Sequence, residues 1–102
     1  HKGFLAPYWD DLQDVEICRL NGTNKVTIEW NGAEFGFFGP GAAVRVSATV
    51  YSTGQVDFAY AATHAATGSG ATVGASNLAG TGGVQLSRNT AGSVTANSVK
   101  GF

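Results

Sequence analysis

The chain has 102 residues, which is long enough for one hydrophobic core and too short for two, so we expect a single domain over residues 1–102. Charged residues make up only 13% of it, against a usual share of about 25%. The formal net charge is −1 and the six Lys and Arg residues are scattered, a pattern that argues against nucleic-acid binding. No apolar run approaches the roughly 20 residues of a membrane-spanning helix, so no span is expected.

The charges are distributed unevenly along the chain. All seven acidic residues lie between Asp10 and Asp57, and the remainder is built mainly from Ala, Gly, Ser, Thr and Asn. A surface with so few charges keeps a free monomer in solution poorly. The composition favours a packed assembly, a glycosylated surface or a cell-surface polymer, with the short-side-chain face of a secreted sandwich as the alternative.

The first predicted element is an apolar and aromatic block over residues 4–12. It predicts a core anchor made of Pro7, Tyr8 and Trp9, followed by a turn that an aspartate caps. Asp10 and Asp11 are adjacent, so in extended backbone their side chains point to opposite faces and do not form a catalytic pair. With Asp14 they could begin a calcium site, but the spaced acidic run that closes such a site is missing. We therefore expect no metal.

Two strands follow, at residues 15–20 and 25–30, joined by a turn at residues 21–24. In the first strand either Val15 and Ile17 or Cys18 and Leu20 could point inward. Cys18 is the only cysteine, so it forms no internal disulfide, and we expect it to be a small buried side chain. The alternative is an intermolecular disulfide. Residues 21–23 match the N-glycosylation pattern, but Asn-Gly is also favoured in hairpin turns.

The second strand alternates strictly, with Val26, Ile28 and Trp30 on one face. Residues 32–42 predict a loop with three apolar side chains as plugs: Phe35, Phe37 and Phe38.

The rest of the chain predicts further antiparallel strands. Residues 43–51 and 56–60 alternate in hydrophobicity around a turn that contains Gly54, which indicates a hairpin with Phe58 and Tyr60 on its apolar face. Shorter strands are expected at residues 71–75 and 84–87, and residues 93–102 close the chain with Val94, Val99 and Phe102. No window has helical periodicity, so the predicted class is an all-β antiparallel sandwich.

No constellation of residues predicts catalysis. His64 lies in a loop without a neighbouring His or Cys, which disfavours zinc. A triad with Asp57 and a serine lacks the strand–turn–helix elbow that presents a nucleophile. The glycine-rich stretches at 68–70 and 80–83 lack the lysine and helix of a phosphate-binding loop. We expect no enzyme activity and no cofactor.

Several motifs resemble one known family. Residues 6–12, Ala-Pro-Tyr-Trp-Asp-Asp-Leu, resemble the A-P-[FY]-W-D-D-L signature of a β-rich module in bacterial secreted and surface proteins, similar to the nidogen-like extracellular domain. The strand ending at Trp30, the hairpin at 46–60, the segment 71–80 with Gly74, and residues 99–102 resemble its later motifs in the expected order. Such modules have an upstream half before the tryptophan motif. The resemblance therefore implies that this chain is the C-terminal portion of a larger module, an incomplete sandwich that other strands complete.

Two functions follow from these observations. The first is a non-catalytic extracellular or cell-surface module for structure or adhesion, which self-assembles into a homo-oligomer, fibre or surface polymer, or receives strands from a partner segment. The alternative is a glycan-binding module that uses exposed aromatic rings with nearby aspartates. Burial of Trp9, Trp30, Tyr8 and Tyr60 would remove the platform that the second function needs.

Overall fold

The computed structural model describes residues 4–36, 39, 41–76 and 81–101. The described residues form eight β-strands and no helix, so none of them belongs to a helix that could cross a membrane. In chain order the strands are β1 (Leu5–Trp9), β2 (Leu12–Gly22), β3 (Lys25–Glu34), β4 (Ala43–Tyr51), β5 (Val56–Tyr60), β6 (Thr72–Ser76), β7 (Gly83–Arg88) and β8 (Ser98–Gly101).

The strands form two sheets, and every pair of neighbours is antiparallel. The larger sheet has the order β2-β3-β4-β5-β8 and the smaller has the order β1-β6-β7, with β1 packed on β4. The prediction of an all-β, antiparallel, sandwich-like fold is confirmed.

The alternation of hydrophobicity sets the register in the middle of the larger sheet. Val46 lies opposite Trp30 on β3 and opposite Tyr60 on β5, so these three side chains share the face that meets the smaller sheet. Each of the two hairpin turns, β2–β3 and β4–β5, contains a residue with positive φ, a conformation that favours glycine or asparagine. Gly54 has φ +92° and Asn24 has φ +82°, as tight turns between antiparallel strands require.

β2 is longer than the sequence predicted. Asp14 adopts φ +53° where the β2–β3 register shifts, and this bulge lets pairing continue back to Leu12. The turn after β2 is centred on residues 23–24, two residues later than the Asn-Gly pair. Ile17 lies opposite Trp30 and therefore on the core-facing side, while Cys18 lies opposite Glu29 on the outer side.

The core lies where β1 and β6 cover β4 and β5. Its largest fully buried side chains are Tyr60, Phe58, Val44 and Val73, joined by Tyr8, Val46, Ala48, Ala66, Ala71 and Val94. No described residue of β2, β3, β7 or β8 belongs to it. The smaller sheet is too narrow to cover the larger one, because three strands at about 4.8 Å spacing cannot span five.

Some predicted core positions are wrong. Phe35 is 56% exposed and does not plug the loop, whereas Phe37, Phe38 and Phe102 lie outside the described residues. Val94 is buried, whereas Val99 is 65% exposed because it lies opposite Ala59, on the outer face of the larger sheet. Cys18 is also exposed, since it sits on the outer face of the edge strand β2.

Candidate functional site

A buried hydrogen bond ties the aromatic motif to the larger sheet. The Tyr60 hydroxyl on β5 donates to the carbonyl oxygen of Pro7 on β1, at 2.7 Å. Burial raises the pKa of Tyr60, so the hydroxyl keeps its proton and acts as a donor at neutral pH. Pro7 has no N–H and suits the edge position that β1 occupies. Pro7 and Tyr60 therefore position β1 and carry no chemistry of their own.

Tyr8, the next motif residue, lies in a small polar cluster beneath β1. Its hydroxyl donates to the Glu34 carboxylate, and its ring meets the His64 ring edge-on at 5.6 Å between centroids. The Tyr60 ring packs against the other side of His64 at 5.4 Å. Burial and the carboxylate of Glu34 both raise the pKa of Tyr8. The cluster joins β1, β3 and β5 through aromatic contacts and one charge-assisted bond.

The surroundings of His64 disfavour a catalytic role for it. The imidazole is 4% exposed, and its Nδ1 accepts the backbone N–H of Arg45 at 3.0 Å. The neutral ring therefore carries its proton on Nε2, which is buried without a hydrogen bond of good geometry. Burial lowers the pKa of His64, against smaller opposing effects of the Ala66 backbone and Glu34. Asp57, the triad partner considered from sequence, instead accepts a bond from Gln55.

The aspartates after Trp9 do not converge on one point. Asp10 accepts the backbone N–H of Asp11 at 2.8 Å, which is the turn-capping role expected from sequence. Asp14 lies in the bulge of β2. Within the described ranges, no group of three or more His, Cys, Asp or Glu side chains is placed to hold a metal ion.

The remaining motif residues have structural positions. Phe58 lies in the core, Gly54 in a turn, and Gly74 in β6, where a Cβ would come within 2.3 Å of the Val84 carbonyl oxygen. Trp30 is half-buried against the core. Trp9 is 47% exposed, so the expectation that it anchors the core is wrong. A register shift between Ala6 and Trp9 turns the indole away from the buried side of β1.

The space between the sheets is open beside β1 and β3. A cleft of about 340 Å³ lies there, and its walls include Leu5, Pro7, Leu12, Trp30 and Val46. Beyond Trp30 on the same face comes Ile17, which is 65% exposed although it points to the core-facing side. On the smaller sheet, Leu5 and Val84 share the face of Ala75 and are 38% and 50% exposed. Apolar side chains thus line an inter-sheet space that the described residues leave uncovered.

Comparisons of the chain with protein-family models, with curated proteins and with solved structures find no match. The resemblance drawn from the sequence motifs therefore stays an expectation, and the functional argument rests on the geometry.

Sequence reasoning missed two features of these surfaces. Glu34 was assigned to a loop, and only the antiparallel register brings it to Tyr8, 26 positions away. The exposed Trp9 was missed because the prediction rested on the apolar and aromatic character of residues 4–12 and did not decide which face of the strand each residue occupies. A signal for the register shift in β1 was present in Pro7, since proline within a strand marks an edge or an irregularity.

Proposed function

We propose that this chain is a non-catalytic structural or adhesion module of the extracellular space or cell surface, and that it assembles by accepting strands from a neighbouring copy. The observation that carries the proposal is Ile17. This side chain points to the core-facing side of the larger sheet and is nevertheless 65% exposed.

Covering this face is energetically favourable. Fully burying an Ile or Val side chain contributes about 1.5–3 kcal/mol to stability. Because Ile17 is 65% exposed, most of this contribution is realised only when another segment covers the side chain. Val50, which shares the face of Val46, is 41% exposed and adds to it. Such a face is unusual in a protein that acts alone, since large exposed apolar patches mark interaction sites.

The adjoining edge can accept a strand. β2 has eleven residues and forms one edge of the larger sheet, so about half of its backbone N–H and C=O groups point away from β3. A strand added there forms main-chain hydrogen bonds and extends the larger sheet, and its inward-pointing side chains lie beside Ile17.

A second copy of the chain has edge strands that can pair with β2. The larger sheet has a free edge at β2 and another at β8, and the smaller sheet ends at β1 and β7. Each copy can therefore both accept and offer a strand, and pairing between different edges gives an open polymer. The low charge of the chain adds little repulsion between copies. Extracellular placement is supported by the composition and the motif resemblance.

Two substitutions on one strand test the proposal. Ile17→Lys places a charge on the core-facing side of β2, whereas Leu20→Lys places one on the outer side at a similar exposure, 59%. Light scattering over a wide concentration range measures the mass of each variant. We expect wild type and Leu20→Lys to form oligomers, and Ile17→Lys to be monomeric.

The wild-type chain supplies the decisive control. A stable monomer that unfolds cooperatively at every concentration would overturn the proposal, because such a fold needs no further strands. Equal loss of assembly in both lysine variants would also contradict it, since the uncovered inner face would then not be the contact.

A further inference from the structure

A second groove lies on the smaller sheet, and Trp9 lines both this groove and the inter-sheet cleft. It has a volume of about 560 Å³. Its lining includes Phe4, Trp9, Thr72, Gly74, Thr81 and Gln85. Within β6, Val73 is fully buried in the core, so Thr72 and Gly74 face the opposite side. The groove is therefore on the outer surface of the sheet.

An aromatic wall forms one side of this groove. The Trp9 indole is 47% exposed, and the Phe4 ring meets it edge-on with 5.4 Å between centroids and an interplanar angle of 73°. Such a contact constrains the orientation of the indole, and the partly exposed Trp9 lines the groove. Trp9 faces Thr72 across the β1–β6 pairing, so hydroxyl and indole stand side by side.

The rest of the lining is polar but uncharged. Thr72 and Thr81 supply hydroxyls, Gln85 supplies an amide that both donates and accepts, and Gly74 leaves the floor without a side chain. No charged side chain is present among the described residues of the lining. Arg88 lies opposite Thr72 in the β6–β7 pairing but is not part of the lining, so a charged ligand would lose hydration without an ionic partner within the groove itself.

We propose that this groove binds a neutral oligosaccharide, with one sugar ring stacked on Trp9. A pyranose ring has an apolar C–H face that suits a flat indole, and a rim of hydroxyls that both donate and accept hydrogen bonds, as Thr72 and Gln85 do. The site can be tested separately from strand addition, because Ile17→Lys changes β2 of the larger sheet, which contributes no residue to the groove. Assembly and sugar binding can therefore fail separately.

Calorimetry and amide NMR of the full chain test the proposal, with cellohexaose, mannohexaose, xylohexaose and chitohexaose as neutral probes and hexagalacturonate as the anionic comparison. We expect at least one neutral probe to bind with a dissociation constant of about 1 mM or tighter. Its amide shift changes should centre on Thr72, Gly74 and Gln85. Trp9→Ala should weaken binding about tenfold, and Trp9→Phe should weaken it less.

Matched variants keep the test interpretable. Val99→Ala truncates an exposed apolar side chain on the other sheet and should leave affinity unchanged. If Trp9→Ala does not fold, Thr72→Val and Gln85→Ala remove single hydrogen-bonding groups and should each weaken binding. The proposal is overturned if no neutral probe binds at about 10 mM. It is also overturned if hexagalacturonate binds as tightly as the best neutral probe, or if folded groove variants keep wild-type affinity.

Discussion

Replacing Tyr60 by phenylalanine tests whether one buried hydrogen bond holds the aromatic motif on the larger sheet. The substitution removes only the hydroxyl that donates to the Pro7 carbonyl at 2.7 Å. The ring, which is 2% exposed, keeps its packing against Phe58 and His64. The change therefore isolates the hydrogen bond from the hydrophobic contribution of the same residue.

The expected cost follows from the burial of both partners. A buried acceptor left without a donor destabilises a fold by about 1–3 kcal/mol, and both Pro7 and Tyr60 are buried. For a domain of this size each kcal/mol lowers the melting temperature by about 4–8 °C. Since total stability is of the order of 5–15 kcal/mol, the loss is a substantial part of it.

Thermal and urea unfolding of Tyr60→Phe and Tyr51→Phe measure the effect. Tyr51 also bonds a side chain, Asp57, but its hydroxyl is exposed to solvent, so its removal should change stability much less than the removal of the Tyr60 hydroxyl. Equal, small effects in the two variants would refute the reasoning. They would mean that the Pro7 carbonyl finds another donor or that β1 is not held by this bond.

Three further substitutions probe the interior. Burial lowers the pKa of His64 below its ordinary 6.5, so the unfolded chain takes up a proton before the fold does, and stability should fall as pH drops below about 6.5. His64→Gln should reduce the difference in unfolding free energy between pH 7 and pH 5.5. An unchanged difference would mean that a group other than His64 causes the pH dependence of stability. Gly74→Ala forces a Cβ toward the Val84 carbonyl and should cost about 1–3 kcal/mol in urea unfolding, which a neutral result would contradict. Phe58→Ala empties a fully buried site and should cost about 3–5 kcal/mol in urea unfolding followed by circular dichroism, which an unchanged midpoint would contradict.

The local elements of this fold could be predicted because they depend on short-range patterns. The strand Ala43–Tyr51 has the predicted bounds, since alternation with period two specifies both the strand and its buried face. Gly54 marked its hairpin turn because that position needs positive φ. The start of β2 was missed, because the bulge at Asp14 interrupts the alternation on which the prediction relied.

The candidate sites were much less predictable. The sequence correctly placed Phe58 and Tyr60 in the core, but it also placed Trp9 and Cys18 there, and both are exposed. A hydrophobic side chain stabilises the fold when it is buried, but whether it is buried depends on whether another layer of the structure covers it. β2 and β8 are edge strands, so their apolar residues stay accessible whatever their hydrophobicity.

By itself the sequence determined the class of this protein and most of its strands, because backbone preference and side-chain alternation are properties of neighbouring residues. Only the tertiary structure decided that a three-stranded sheet packs on a five-stranded sheet and leaves part of it uncovered. That mismatch leaves Ile17 exposed on the core-facing side, and the β1 register shift puts Trp9 over an outer groove. Both outcomes depend on pairings between residues far apart in the chain, which local patterns do not encode.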